Sequence, residues 1–169
     1  MILYIPYYEK GYNIQAIANP VFDSNEAATI MTLKLVKALP GYRTYLNNNI
    51  SNRMFEKNTA MLWKGKKVNV LSMIYEHKSS STETIEEFKS ILEYIKLYYK
   101  NMGLKSILFH PRVWDYICSD DEDARTLIED ILGPIMDLEV YMILDDDRRD
   151  ESIYLENLFK DLIDGYYIE

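Results

Sequence analysis

The chain has 169 residues, a formal net charge of −8 and a single cysteine, Cys118. This length fits one domain, and one cysteine excludes both an intramolecular disulfide and a cysteine-based metal cage. The negative charge disfavours direct binding of nucleic acid, because phosphate recognition relies on clustered lysine and arginine. No apolar run approaches the roughly 18 residues of a membrane span, and Met1 to Pro6 is too short and uncharged for a signal peptide. We therefore expect a soluble, cytoplasmic protein with no membrane contact.

Two strands are predicted at the start of the chain. Met1 to Ile5 is short and apolar, and Ile14 to Ala18 is a near-continuous apolar run that is typical of a strand buried on both faces. Pro20 is expected to end this second strand, so that the segment from Asn19 to Asn25 forms a turn.

The first predicted helix follows this turn. Asp23 or Ser24 is expected to cap it, because the first N–H groups of a helix need an acceptor. Its apolar residues extend from Ala27 to Leu39, and Pro40-Gly41 is expected to end it. The polar, asparagine-rich segment from Tyr42 to Lys57 is predicted to be irregular.

A hairpin and a long helix are predicted next. Thr59 to Trp63 and Lys67 to Tyr75 flank Gly65 and have the composition of paired strands. Apolar residues from Ile85 to Tyr99 recur at spacings of three and four, which indicates an amphipathic helix. Gly103 is suited to the left-handed position that ends many helices.

The last third of the chain again alternates strands and helices. Ser106 to Phe109 and Leu138 to Leu144 are predicted strands, and a helix from Ala124 to Leu132 lies between them. Asp120 or Asp121 is expected to cap this helix. A final helix is predicted through the apolar residues between Ile153 and Ile163.

This order of elements predicts where a ligand would bind. Strands that alternate with helices favour a largely parallel sheet covered by helices. Ligands of such sheets lie beyond the carboxyl ends of the strands. Two segments qualify here, the turn Asn19–Asn25 and the loop His110–Asp121.

Several of these segments resemble a known family. The strand Ile14–Asn19, its turn, and the stretches Ala27–Met31 and Leu39–Tyr42 resemble the opening of macrodomains. Later segments are similar to the family's core strand, next helix, strand-proline stretch and last strand, namely Val68–Tyr75, Thr84–Tyr99, Ser106–Arg112 and Leu138–Tyr141. The resemblance covers residues 1–144. It implies a single α/β domain over residues 1–169, with three layers, a mostly parallel central sheet and helices on both faces. Residues 151–164 would be an extra C-terminal helix.

The resemblance also implies a ligand. Macrodomains bind ADP-ribose, and two glycine-rich loops hold its diphosphate through backbone N–H groups. The corresponding stretches here, Phe22–Glu26 and Val113–Ile117, contain no glycine and carry Asp23, Glu26 and Asp115. Bulky side chains would fill the groove, and each carboxylate would repel the diphosphate. We therefore expect a degenerate, non-catalytic member that binds an ADP-ribose-type nucleotide weakly or differently.

Two alternatives remain open at the level of sequence. The first is an acidic interaction protein that binds and modulates a host protein. The chain has 15 tyrosines and frequent Ile, Asn, Lys and Asp, and the codons of these residues are rich in A and T. Many phage genomes are also AT-rich. A phage protein of this kind would act in the host cytoplasm. The second alternative is an ADP-ribosyl hydrolase in which the substituted loops still function.

The ligand-binding residues predicted from the resemblance all come from the two segments at the carboxyl ends of the strands. Asn19 matches the strand-end asparagine that contacts the distal ribose, although turn chemistry before Pro20 is an equally simple explanation. Trp114 and Tyr116 have rings that would stack on an adenine or pack in the core. The complete set is Asn19, Asp23, Ser24, Asn25, His110, Arg112, Trp114, Tyr116 and Ser119.

Catalytic and metal-binding candidates are few. Lys78 lies where one branch of the family has a catalytic lysine, and Asp121 lies near that branch's acidic partner. The spacing does not match cleanly, and a solvated lysine is the simpler explanation of Lys78. His77 and His110 lack a third metal ligand at a recognisable spacing. The acidic run Asp145–Asp147 lacks the glycine and the later glutamate of a calcium loop. We therefore expect no metal and no cofactor.

Overall fold

The computed structural model describes residues 1–5, 13–24, 28–66, 68–76, 81–113 and 121–143. Within these ranges the chain forms six strands, four α-helices and one short 3-10 helix. The strands are β1 Ile2–Ile5, β2 Ala16–Phe22, β3 Thr59–Lys64, β4 Asn69–Tyr75, β5 Ser106–Phe109 and β6 Glu139–Ile143. The helices are α1 Ile30–Ala38, α2 Pro40–Ser51, α3 Ser81–Met102 and α4 Asp121–Leu132, with the 3-10 helix at Pro111–Val113.

The strands form a single mixed sheet in the order β1-β6-β5-β2-β4-β3. Every neighbouring pair is parallel except β3 and β4, which are antiparallel and form the predicted hairpin. The prediction of a mostly parallel α/β sheet is therefore confirmed. The carboxyl ends of the five parallel strands meet at one edge, which we call the C-terminal edge of the sheet.

Helices cover both faces of the sheet. Ser72 of β4 hydrogen-bonds to Tyr42 of α2, so this residue faces the layer of α1 and α2. Its neighbours Leu71 and Met73, which are fully buried, point to the opposite face. There α3 contacts both β3 and β4 and packs against α4. Apolar residues on both sides of the sheet agree with the predicted three layers.

Strand β2 is longer than the sequence indicates. The prediction that Pro20 ends the strand is wrong, because β2 continues to Phe22 in register with β4. Proline is tolerated where a strand needs no N–H from it. Pairing of β2 with β5 stops at Ile17, and the carbonyl of Pro20 accepts a bond from the hydroxyl of Thr32, 3.2 Å away. The backbone of Pro20 on this side therefore meets α1 and not a neighbouring strand, so no ladder bond is lost.

The start of α1 also differs from the prediction. Thr29 caps the helix, and its side chain accepts a bond from the backbone N–H of Thr32. Neither Asp23 nor Ser24 holds this position, so that prediction is wrong. The backbone N–H of Asp23 instead donates to the carbonyl of Tyr75 at 2.9 Å, which extends the pairing of β2 with β4.

Helix α2 occupies most of the segment that was predicted to be irregular. Pro40 stands at its first turn, where a proline ring fits because the N–H it lacks would have no partner in the helix. The pair Pro40-Gly41 therefore ends α1 and also starts α2. Tyr42 and Leu46 lie four residues apart and are both buried, so they pack α2 against the rest of the domain. The asparagines of this helix weaken its apolar periodicity, which is why the sequence did not predict it.

The remaining helices and strands follow the sequence closely. Helices α3 and α4 and strands β5 and β6 lie where their apolar patterns place them. Gly103 follows α3 with a φ of +72° and confirms the predicted helix end. The helix predicted over residues 153–163 lies outside the described part of the chain.

Replacement of Gly103 by alanine should lower the stability by about 1 kcal/mol, because the left-handed backbone strains a residue with a Cβ atom. For a domain of this size we expect a fall of roughly 2–4 °C in Tm. The control is Gly103→Asn, which should lose less because asparagine tolerates this conformation. Equal melting temperatures for both variants and the wild type would contradict the strain argument.

Candidate functional site

A buried polar network joins α1 and α2 to strands β2 and β4. The Asn19 side chain, which is fully buried in β2, donates to Tyr42 Oη at 3.0 Å and to Thr32 Oγ1 at 3.1 Å. Tyr42 Oη lies 2.8 Å from Ser72 Oγ on β4. Thr29 at the start of α1 donates to Thr32 at 3.0 Å. These bonds satisfy polar groups that would be costly to bury without partners.

The tyrosines of α2 lie in an apolar setting. Burial raises the pKa of the Tyr42 phenol, and hydrogen bonds from Ser72 and Asn19 offset part of that effect. Burial also raises the pKa of Tyr45 to about 12. The Tyr45 hydroxyl is buried without a hydrogen-bond partner. Both phenols are therefore neutral at physiological pH, and neither has the low pKa of an activated general base.

This network limits the hydrogen bonds that the Asn19 side chain could form with a ligand. Both hydrogens of its amide nitrogen are directed at Tyr42 and Thr32. Its exposed fraction is 0%. The Asn19 side chain thus links β2 to α1 and α2 through buried hydrogen bonds. Asn19 lies inside a strand and not in the predicted turn.

A groove opens beside this network, between α1 and α2. Its volume is about 390 Å³. The floor and walls are largely apolar, and Ser24, Thr29 and Arg43 add polar groups around them. We call this the α1–α2 groove. Its residues are Val21, Phe22, Ser24, Ala28, Thr29, Thr32, Leu33, Val36, Arg43, Leu46, Asn47 and Ile50.

The described part of the chain brings four of the predicted ligand-binding residues to the C-terminal edge. Asp23 and Ser24 follow β2 and are half-buried. His110 follows the adjacent strand β5 and is 6% exposed. Arg112 belongs to the 3-10 helix next to His110. The predicted adjacency of the two segments at this edge therefore holds for the backbone of these residues.

The other predicted residues are not brought together within the described ranges. Asn25, Trp114, Tyr116 and Ser119 lie outside the described residues, as does the catalytic candidate Lys78. Asp121, the second catalytic candidate, is the first residue of α4. No grouping of three potential metal ligands occurs among the residues that the structure describes. Within the same residues, every helix is too short or too polar to cross a bilayer.

Sequence reasoning missed Thr29, Thr32, Tyr42 and Arg43. The spacing Thr29-x-x-Thr32 is a usable signal, because a threonine that caps a helix accepts from the N–H three residues later. Tyr42 and Arg43 carried no such signal, since α2 itself was not predicted.

Replacement of Tyr42 by phenylalanine should reduce the free energy of unfolding by about 2 kcal/mol, because Asn19 and Ser72 would lose a buried partner. Tyr45→Phe is the matched control on the same helix. Its hydroxyl is buried without a partner, so its removal should leave stability unchanged or slightly higher. Urea unfolding of both variants tests this difference, and equal losses would show that the Tyr42 hydroxyl has no special role.

The stabilising contribution of the neutral Tyr42 phenol should also depend on pH. Its pKa in the folded protein is raised from the ordinary value of 10.0, so the unfolded chain releases this proton first as the pH rises. Stability from this group is complete below about pH 10 and falls above it. The difference in urea midpoint between wild type and Tyr42→Phe should therefore be constant below about pH 10 and narrow as the pH rises above that value. A constant difference would contradict this linkage.

No family model matches the chain, and no curated protein matches it in sequence. Several solved structures share its fold. The macrodomain of DarG from Thermus aquaticus superimposes with a TM-score of 0.69 at 11% identity, over 85% of this chain and 97% of the other. The macrodomain of Mycobacterium tuberculosis DarG gives 0.69 at 12% identity, with the same coverage of 85% and 97%. Thermosipho africanus DarTG in complex with ADP-ribose gives 0.64 at 14% identity, over 88% of this chain and 43% of the other.

These similarities agree with the strand order and the two helical layers described above. The resemblance noted from the sequence is thereby confirmed at the level of architecture. The chain has the macrodomain fold.

Proposed function

We propose that this protein binds an ADP-ribose-type nucleotide weakly and without turnover. The ligand would lie at the C-terminal edge of the sheet and extend into the α1–α2 groove. The observation that carries this proposal is the Asn19 side chain, which is buried beside an open groove and fully engaged within the protein.

Support for the class of ligand comes from the fold. Thermosipho africanus DarTG, which shares the fold, has been solved in complex with ADP-ribose. The α1–α2 groove, at about 390 Å³, is within the roughly 300–1,000 Å³ that is common for small-molecule sites. It begins at Phe22 and Ser24, where β2 reaches the C-terminal edge.

The side chains of the groove suit a nucleotide with an anionic group. The guanidinium of Arg43 can form paired hydrogen bonds with a phosphate. The ring of Phe22 and the side chain of Leu33 offer apolar contacts to a base or a ribose. Asn47 adds an amide that both donates and accepts. In this site side chains would contact the ligand, instead of a cradle of backbone N–H groups. The proposed mode of binding therefore differs from one based on glycine-rich loops.

Three features support weak binding without turnover. The amide hydrogens of Asn19 are donated to Thr32 and Tyr42, so they are not free to form hydrogen bonds with a ribose. The N–H of Asp23 already donates to a sheet carbonyl and is withdrawn from a diphosphate. The segment from Asp23 to Thr29 contains no glycine that would let the backbone approach phosphates closely.

Calorimetric titration with ADP-ribose tests the proposal, and we expect a Kd in the high micromolar range or above. Arg43→Ala should weaken binding about tenfold, because it removes a charged donor to phosphate. Lys37→Ala is the matched control, since this cation lies on α1 and outside the groove lining. An absence of heat at millimolar ADP-ribose, or equal effects of both variants, would overturn the proposed site.

Incubation with ADP-ribosylated protein or DNA tests the absence of turnover. We expect no release of ADP-ribose above the uncatalysed rate, and no effect of Lys78→Ala. Release that is lost in Lys78→Ala would instead identify an ADP-ribosyl hydrolase.

A further inference from the structure

The α1–α2 groove has two distinct ends. One end lies where β2 finishes, because Phe22 is the last residue of this strand and lines the groove. Thr29 lines the groove here as well, and its hydroxyl oxygen lies 3.4 Å from the carbonyl oxygen of Pro20 in β2. We call this the strand end of the groove.

The other end of the groove lies where α1 meets α2. A single residue, Leu39, joins the two helices. Val36 lies three residues before Leu39 and Arg43 lies four residues after it, and both line the groove. We call this the junction end. Val36 is seven residues from Thr29, which corresponds to about 10 Å along the axis of α1.

The two ends of the groove differ in charge. Arg43 is exposed and is the one charged residue among the described residues that line the groove. It forms no ion pair with another described residue, and its guanidinium can form paired hydrogen bonds with one phosphate. At the strand end, Asp23 directly follows Phe22 and is half-buried, so its carboxylate would repel a phosphate. An anionic group is therefore favoured at the junction end.

Two backbone donors at the strand end are already used within the fold. The N–H of Asp23 donates to the carbonyl of Tyr75. The N–H of Thr32, in the first turn of α1, donates to the side chain of Thr29. These groups are the kind of donor that holds a phosphate at the start of a helix. Their use in the fold adds to the preference of an anion for the junction end.

The part of the groove between its two ends suits an uncharged ring system. Phe22 is half-buried and Leu33 is 57% exposed, so both present apolar surface to the groove. Asn47 lies one helical turn after Arg43, and its amide can both donate to and accept from a base or a ribose. The volume of about 390 Å³ lies near the lower limit of the roughly 300–1,000 Å³ of small-molecule sites. These properties favour a small nucleotide.

We propose that the α1–α2 groove recognises a nucleoside monophosphate, with its base towards Phe22 and its phosphate on Arg43. The inference rests on the proposed function and specifies which part of an ADP-ribose-type nucleotide is bound. ADP-ribose is such a monophosphate, AMP, extended by a second phosphate and a second ribose. One guanidinium pairs with one phosphate, so the second phosphate and the second ribose extend beyond Arg43 and out of the groove.

Titration of the full chain with adenosine, AMP and ADP-ribose, followed by NMR chemical shifts, tests the proposal. We expect the Kd values of AMP and ADP-ribose to agree within about threefold, because the groove contacts the same groups in both. Adenosine should bind about tenfold more weakly than AMP, because it lacks the phosphate.

Three variants separate the contributions of charge and apolar contact. Arg43→Ala should weaken the binding of AMP and of ADP-ribose about tenfold and leave adenosine unchanged. Leu33→Ala should weaken all three ligands by a similar factor, because it removes apolar contact with the nucleoside. Lys37→Ala is the control for the loss of a positive charge outside the lining, and it should change none of the three Kd values.

The direction of the ligand is tested by Asp23→Asn, which removes a charge at the strand end and keeps the shape of the side chain. A phosphate at the junction end would be separated from this position by about the Debye length of 10 Å at 0.1 M salt, so screening should leave little interaction. We therefore expect the Kd of AMP to change by less than about twofold.

The possible failures are distinguishable. A Kd for ADP-ribose that is more than about threefold below that of AMP would show that the second phosphate or the second ribose is recognised. Equal Kd values of adenosine and AMP, or a clear gain in AMP affinity in Asp23→Asn, would show that the phosphate is not on Arg43. Each of these results would overturn the inference and leave the proposed function standing. No binding of any of the three ligands at millimolar concentration would overturn the proposed function itself.

Discussion

The hydrogen bonds of the Tyr42 hydroxyl hold the candidate site in its observed form. This one group connects α2 to Asn19 on β2 and to Ser72 on β4. It is fully buried, so water cannot replace a lost bond at low cost. The position of α2, and with it one wall of the α1–α2 groove, depends on this contact.

The same network shows how side chains near the C-terminal edge are committed to the fold itself. A parallel sheet directs the ends of its strands to one edge regardless of what the loops contain. In this chain the side chain of Asn19 is directed inward, and the backbone N–H of Asp23 extends the sheet. The Asn19 amide and the Asp23 N–H thus form hydrogen bonds that stabilise the fold, so they are not free to form hydrogen bonds with a ligand. Arg43 and the polar groups Ser24 and Thr29 remain in the lining of the α1–α2 groove.

Much of the fold was predictable because it depends on periodicity. The stripe of α3, the strand pair around Gly65 and the left-handed Gly103 each have a local cause that can be read from neighbouring residues. Pro20 and the Pro40-Gly41 pair misled the prediction for a shared reason. A proline is compatible with a strand that lacks a partner on one side and with the first turn of a helix. Which of these applies depends on tertiary contacts, and those are not encoded locally.

The site was less predictable than the fold. The adjacency of Ser24 and His110 followed from topology, since their strands are neighbours in a parallel sheet. The burial of Asn19 did not follow, because it requires Tyr42 and Thr32 from two different helices. Arg43 became relevant only once α2 was known to be a helix. Sequence patterns thus located the edge of the sheet, whereas long-range hydrogen bonds determined which side chains remain open there.

The aromatic cluster of α2 has an optical consequence. The ring of Trp63 lies 5.4 Å from that of Tyr42 and 6.5 Å from that of Tyr45, measured between centroids. Excitation absorbed by these phenols can therefore pass to the indole with high efficiency. In a Trp114→Phe variant, which leaves one tryptophan, the emission of Trp63 would be an intrinsic, label-free reporter of whether α2 is docked on the sheet.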